Sequence, residues 1–452
     1  RRASRACGMT VNAPPSSSAS SSGAVSSPLK RLATLLGVAL VAALMTGPPG
    51  DSPTPLAGVK GSIFHARVFL FLGGALVLWV VTLVYERFAP QVREVRTTVS
   101  KAGSRAFAKP GSKQITYLLL LVVAILVPLQ LSPAAQQAAV SDVGIYALLA
   151  LGLNVVIGYA GLLDLGYIAF YAIGAYATAY FTSESALPVH STVLFNPFAV
   201  FPIALAIAAV AGTLLGGPTL RLRGDYLAIV TLGFGEIVQK VANNADGFTN
   251  GSRGAFGVPK LSIHVGPINY DWGIDPLPYY YLLVVLIVLV MLAFSALERS
   301  RIGRGLAAIR EDEVAAEATG VPTLRYKLLA FAIGASTSGI AGVIFATKQF
   351  FNPQTFSLQA SLLVLTIVIF GGMGSLFGVV LGAIVIQGTF FILRDIVPPN
   401  DRYIYFGALV MVMMIFRPQG LLPSRRRTQE FALAESGGAS VEMLAAGTVT
   451  ER

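Results

Sequence analysis

ERSRIGRGLAAIREDEVAAEATGVPTLRYK, Glu298 to Lys327, lies between two long apolar runs, Tyr279–Leu297 and Leu328–Thr347. It carries six basic and five acidic residues in a chain of which only 12% is charged. A few residues suffice to join two neighbouring helices, so a polar insertion of this length has a structure of its own. Small and apolar residues fill the space between Arg304 and Arg310. Glu311, Asp312 and Glu313 put negative charge where a second helix would begin, which suits the helix dipole. Val314–Thr319 is rich in alanine, a strong helix former. Gly320 suits the C′ position and Pro322 stops the run. The stretch predicts two short helices at the membrane surface. The plainer reading is a solvated loop that carries basic charge for topology. The helical pattern favours a docking element for a soluble partner.

Outward from this stretch, the rest of the chain is apolar. Hydrophobic residues make up 54% and the mean hydropathy is +0.70, against roughly 45–50% apolar in soluble domains. A net charge of +11 would suggest nucleic acid in a soluble chain. Here the membrane surface and the basic bias of cytoplasmic loops explain it, and no nucleic-acid partner is expected. One cysteine, Cys7, excludes a disulfide framework and a cysteine metal site. His65, His190 and His264 stand apart from one another and read as loop residues, so no metal or catalytic site is expected.

Twelve runs approach the roughly 20 apolar residues of a membrane helix. They are Leu32–Thr46, Val68–Tyr85, Thr116–Leu131, Val140–Ile157, Leu165–Phe181, Phe198–Leu215, Tyr226–Val241, Tyr279–Leu297, Leu328–Thr347, Leu358–Phe370, Leu376–Leu393 and Tyr403–Phe416. The expected fold is an all-α polytopic membrane protein, a bundle of about 10–12 transmembrane helices. Some segments are expected to be broken or re-entrant, Leu358–Phe370 and Leu376–Leu393 first among them. Residues 1–31 read as a disordered tail, with translation expected to start at Met9. Residues 32–115 read as an extra transmembrane region with a basic loop, whose first helix, after Lys30-Arg31, resembles an uncleaved signal segment. Residues 116–423 form the core, containing the 298–327 loop, and 424–452 a disordered tail. With the N-terminus inside, alternating spans place 25 of the 33 Lys and Arg on the cytoplasmic side. The loop and the C-terminus are then cytoplasmic, and Asn243–Pro278 faces outward, with Asp, Asn, Gly, Tyr and Trp residues that suit an exposed binding face.

Three four-residue ridges of small residues allow helices to approach closely: Gly212-xxx-Gly216, Gly334-xxx-Ser338-xxx-Gly342 and Gly374-xxx-Gly378-xxx-Gly382. Two glycine-rich breaks interrupt the apolar runs, Gly158-Tyr-Ala-Gly-Leu-Leu-Asp-Leu-Gly-Tyr167 and Gly371-Gly-Met-Gly374. Irregular backbone at membrane depth is tolerated where it is buried in protein or lines a water path, and paired breaks point to a translocation route. Both also fit tight interfacial turns. Asn154, Tyr159, Gly161, Asp164 and Tyr167 are the candidates for flanking such a route. Asp164 equally suits an N-cap of the run that follows. Glu236 and Lys240, four apart, can pair on one helix face. The sequence contains no GxSxG, HExxH or Gly-Lys dipeptide, hence no P-loop.

Leu151-Gly-Leu-Asn154, the run Gly158–Tyr176, Leu220–Ile237, Arg301–Glu313, Phe370–Ser375 and Arg417-Pro-Gln-Gly-Leu-Leu422, in that order, resemble the motifs of LivM-type branched-chain amino acid permeases of ABC importers. The resemblance covers about Thr116 to Pro423. It implies a permease subunit of the bacterial inner membrane that takes up leucine, isoleucine or valine. It also implies a homologous LivH-type permease, two ABC ATPase subunits and a periplasmic amino-acid-binding protein as partners. No cofactor would bind directly; ATP would act through the ATPases. The 298–327 loop matches the position of the ATPase-coupling loop, with Arg304, Gly305, Leu306, Ala307, Ala308, Ile309, Arg310 and Glu311 as the coupling helix. In this reading Gly305, Ala307 and Ala308 seat in the ATPase groove, and Arg304 and Arg310 pair with its acids. Glu317-Ala-Thr-Gly320 is shorter than the widely known EAA-x3-G pattern. The alternatives are a urea or short-amide ABC permease, a secondary carrier or channel, and a non-transporting membrane enzyme. The last lacks a catalytic cluster in the sequence.

Overall fold

The computed structural model describes residues 124–219, 225–265 and 268–394, with 122, 402, 407, 409–411, 413, 417 and 419–422. All belong to one compact unit, Leu118–Arg452. The expected spans Leu32–Thr46 and Val68–Tyr85, the segments 1–31, 32–115 and 424–452, and parts of Thr116–Leu131 and Tyr403–Phe416 lie outside the described residues.

The first long element, α1, runs Pro133–Tyr159 and contains two π-helical stretches, Ala139–Gly144 and Val155–Tyr159. It starts earlier than its apolar run because Ser132 accepts a hydrogen bond from Ala135 N and Pro133 occupies the first turn, where no N–H is needed. Then follow α2 (Ile168–Thr182), α3 (Pro197–Thr219), α4 (Asp225–Asn244), a two-stranded antiparallel ribbon of β1 (Ser262–Val265) and β2 (Ile268–Asp271), and α5 (Pro276–Arg299). Two short helices, α6 (Arg301–Glu311) and α7 (Glu313–Ala318), lead into α8 (Thr323–Lys348), α9 (Leu358–Gly371) and α10 (Leu376–Leu393). Of these, α1, α3, α5, α8 and α10 are long and apolar enough to cross a membrane. The unit is an all-α polytopic membrane protein, with the ribbon as its one sheet among the described residues.

Helix α8 is the axis of the bundle, in contact with α1, α2 and α3. Its small residues make this possible. A Cβ on Gly334 would lie 3.1 Å from the Gly152 carbonyl of α1, and one on Gly342 2.6 Å from Tyr171 O of α2. One on Gly339 would lie 2.8 Å from Ala204 O of α3, and one on Gly212 of α3 2.7 Å from the Ala335 methyl. In lipid no hydrophobic force presses helices together, so such backbone approach supplies the packing energy. Helices α9 and α10 fold back on each other as a hairpin: Gly371 abuts Gly378, and a Cβ on Gly382 would meet Ile367 O at 2.7 Å. The expected ridge is therefore Gly378 and Gly382 only. Gly374 precedes the helix, in a turn where it and Gly372 have φ of +81° and +112°, the region glycine adopts without strain. Glu236 and Lys240 form no ion pair with one another.

At one end of the bundle the 245–275 segment folds over the helix ends. Ala255 and Phe351 form an isolated antiparallel bridge, and Ser183 Oγ donates to Gly257 O. Trp272, expected to serve an exposed face, is only 8% exposed and packs edge-on against Phe198 and Tyr279. Burying a large aromatic there closes the end of the core, and Tyr270, Phe256 and Ile274 remain outside.

Candidate functional site

The opposite end of the bundle gathers α6, both glycine breaks and residues 419–422. Helix α6 begins at Arg301, where Ser300 accepts a hydrogen bond from Gly303 N. This N-cap is legible as a serine placed before the run, and it starts the helix ahead of the expected Arg304. Asp312 caps α7 through Val314 N and Ala315 N, at 2.8 and 3.0 Å. Gly320, with φ of +85°, ends α7: Gly320 N donates to Glu317 O and Val321 N to Ala316 O, the paired bonds of a Schellman turn. Lys327, 2% exposed, forms an ion pair with Glu313 and ties α7 to α8. The two helices form a fixed shelf rather than a loose loop.

The faces of α6 are divided. Leu306 and Ile309 are buried at 0% and 5% exposed, Gly303 and Gly305 are buried, and Ala307 and Ala308 are half-buried. Arg304 and Glu311 are exposed, and Arg304 Nη1 donates to Arg299 O. Gly305 packs against the Tyr326 ring of α8, which leaves no room for a side chain. Two expectations change here. Gly305 serves the subunit's own packing, not a partner's groove. Arg310, expected to meet a partner's acids, turns inward and donates from Nη1 to the Gly158 carbonyl at 2.7 Å. The reason is that the apolar stripe of α6 faces the subunit, which carries Gly305 and Arg310 with it.

The first break starts within the π-helical end of α1. Asn154 is fully buried, and its Oδ1 accepts from Gly374 N at 2.8 Å, joining the first break to the second. Tyr159 is 8% exposed. Gly161 is exposed with φ of +71°. Asp164 is 1% exposed; its Oδ1 accepts from Gly166 N at 2.9 Å, its Oδ2 is enclosed, and the Thr231 side chain lies beside the carboxyl group. It is not the N-cap of α2: that helix starts at Ile168, whose N–H donates to Ser361 Oγ of α9 at 3.2 Å. Tyr167 is 1% exposed and donates its hydroxyl to Gly334 O of α8 at 2.9 Å. Four of the five candidates are thus enclosed within the subunit around the break. The second break is braced from the C-terminal side, where Leu421 N donates to Phe370 O and Leu422 N to Gly371 O. Sequence reasoning misses Ser361 and singles out residues 419–422 only as part of a motif; what each bonds to is not legible, because their partners lie far along the chain. Among the described residues no cluster of His, Cys, Asp or Glu could hold a metal ion.

The model of the family described as branched-chain amino acid transport system / permease component matches residues 138–417. The chain is 37% identical to the high-affinity branched-chain amino acid transport system permease protein LivM of Salmonella typhimurium, over 79% of this chain and 86% of that protein. It is 38% identical, over the same shares, to LivM of Escherichia coli. It is 25% identical to the LivH permease protein of Escherichia coli, over 61% of this chain and 91% of that protein. No solved structure matches the chain.

Proposed function

The chain belongs to the branched-chain amino acid transport permease family, and on that premise we propose that it is the permease subunit of an ATP-driven importer of leucine, isoleucine and valine. Its partners are a homologous LivH-type permease, two ABC ATPase subunits on the cytoplasmic face and a binding protein outside. It lies in the bacterial inner membrane with both termini and the 298–327 loop in the cytoplasm, a reading supported by the bias of Lys and Arg. The chain has no P-loop, so ATP hydrolysis belongs to the partner and its energy must arrive through protein contacts.

The observation that carries this reading beyond the family match is the seat of α6. Its buried stripe grips the subunit and its Arg310 meets the first glycine break, while Arg304, Ala307, Ala308 and Glu311 form its outer side. A helix held this way acts as a lever: the ATPase holds the outer side, and the inner side moves the breaks. Asn154, Tyr159, Gly161, Asp164 and Tyr167 shape the first break and gate the path beside it. Uptake of radiolabelled leucine tests the assignment in cells lacking other leucine systems. We expect concentrative uptake only when this gene and its ATPases are present. Unchanged leucine uptake with gained urea uptake would move the assignment to the short-amide permeases.

A further inference from the structure

Helix α6 and the end of α1 meet through one side chain. The carbonyls of Val155, Val156 and Ile157 are taken by the N–H groups of Ala160, Leu162 and Gly161. The next carbonyl, Gly158 O, receives Arg310 Nη1 at 2.7 Å. A helix C-terminus leaves its last carbonyls without backbone partners and carries partial negative charge, so a guanidinium there makes a charge-assisted bond. The stem of Arg310 lies over Gly161: a Cβ at Gly161 would sit 2.8 Å from Arg310 Cγ. One turn earlier, Asn154 Oδ1 holds Gly374 N, and a Cβ on Gly158 would come 2.6 Å from that same nitrogen. Three segments far apart in sequence therefore touch in a space that only glycine leaves open. The end of α1 is π-helical, and such stretches are frequent at functional positions.

We infer that Arg310 is a positioning residue for transport: it ties Gly158 to α6, so that displacement of α6 by the ATPase moves the first break and, through Asn154, the Gly371–Gly374 break. The inference rests on the importer reading and deepens it. It assigns Arg310 to an internal relay and leaves ATPase docking to the outer side of α6. With α6 docked but this tether absent, the ATPase would hydrolyse ATP without moving the gate.

The test uses the full transporter, with permease pair and ATPases, in membranes and purified in detergent. Arg310→Ala should reach the membrane and co-purify with the ATPases at the wild-type level. The ATP hydrolysed per leucine imported should rise about tenfold, the scale set by loss of one hydrogen bond to a charged group. Arg310→Lys, which keeps the charge and a donor, should recover most of the coupling. A purely structural residue would lower protein level and leave that ratio unchanged. Wild-type coupling in Arg310→Ala, or loss of ATPase co-purification, overturns the relay. If the wild-type transporter imports no leucine, the substrate assignment falls, and amide exchange in the purified complex then decides the relay. Residues 155–163 should exchange about tenfold faster in Arg310→Ala, and unchanged exchange there overturns it whatever the substrate.

Discussion

A carboxyl group with one oxygen bonded and the other enclosed, as at Asp164, is costly to keep inside a membrane protein. Its Oδ1 closes a local turn onto Gly166, of the kind that aspartate and asparagine form equally well. That turn aims Tyr167 at the Gly334 carbonyl and sets Ile168 against Ser361. Asp164→Asn keeps the acceptor and should transport at close to the wild-type rate. Asp164→Ala removes it, at about 1 kcal/mol of stability, and should lower leucine uptake severalfold by loosening the break. Thermal unfolding and uptake of both variants, at matched membrane levels, provide the comparison. An Asn variant as inactive as the Ala variant would show that the second oxygen takes part in transport, and the turn would then be the smaller part of its role.

Elements of this bundle are set by where glycine is required and where it is not. Gly378 of α10 abuts the Gly371 backbone of α9, whereas a methyl carbon placed on Gly388, further along the same helix, would meet nothing within 4 Å. The two helices are held by backbone approach, and a methyl group between them forces them apart. Gly378→Ala should destabilise the hairpin by about 1–3 kcal/mol. Gly388→Ala should be neutral or stabilising by up to about 1 kcal/mol, since alanine is the better helix former. Thermal unfolding of the purified protein separates them, and equal melting temperatures would mean that the hairpin opens to admit the methyl. The same contrast explains why four-residue glycine spacing is a sound guide for α8, yet includes Gly374, which serves the turn ahead of α10. Spacing finds a face of a helix but does not reveal where the helix begins.

For the whole molecule the decisive position is Ala308, half-buried on the outer side of α6, away from the inward Leu306–Ile309 stripe. Tryptophan there projects bulk into the space assigned to the ATPase. Ala308→Trp should remain in the membrane, lose ATPase co-purification and abolish concentrative uptake, at about 2 kcal/mol or more of binding energy. This is the opposite pattern to Arg310→Ala, where the ATPases stay bound. The sidedness is read at the same residue. Ala308→Cys, with Cys7 replaced, should react with a membrane-impermeant thiol reagent only from the cytoplasmic side. Labelling from the outside alone would invert the topology, and an Ala308→Trp protein that binds and transports like wild type would remove α6 from coupling.

Much of this protein is legible in its sequence. Apolar runs place α10 at its observed bounds, Leu376–Leu393, because in lipid every backbone polar group must be bonded within its own helix, so length and hydropathy nearly suffice. The paired helices of the 298–327 loop are legible too, since caps and breakers such as Asp312, Gly320 and Pro322 act on their immediate neighbours. The tertiary structure alone decided which groups meet. Arg310 reaches Gly158 across 152 residues, Asn154 reaches Gly374 across 220, and Ser361 caps α2 from 193 residues away. These bonds follow from helix packing around α8, and no local propensity encodes them. A side chain's type states what bond it can make; only the assembled bundle determines which carbonyl or N–H lies within its reach.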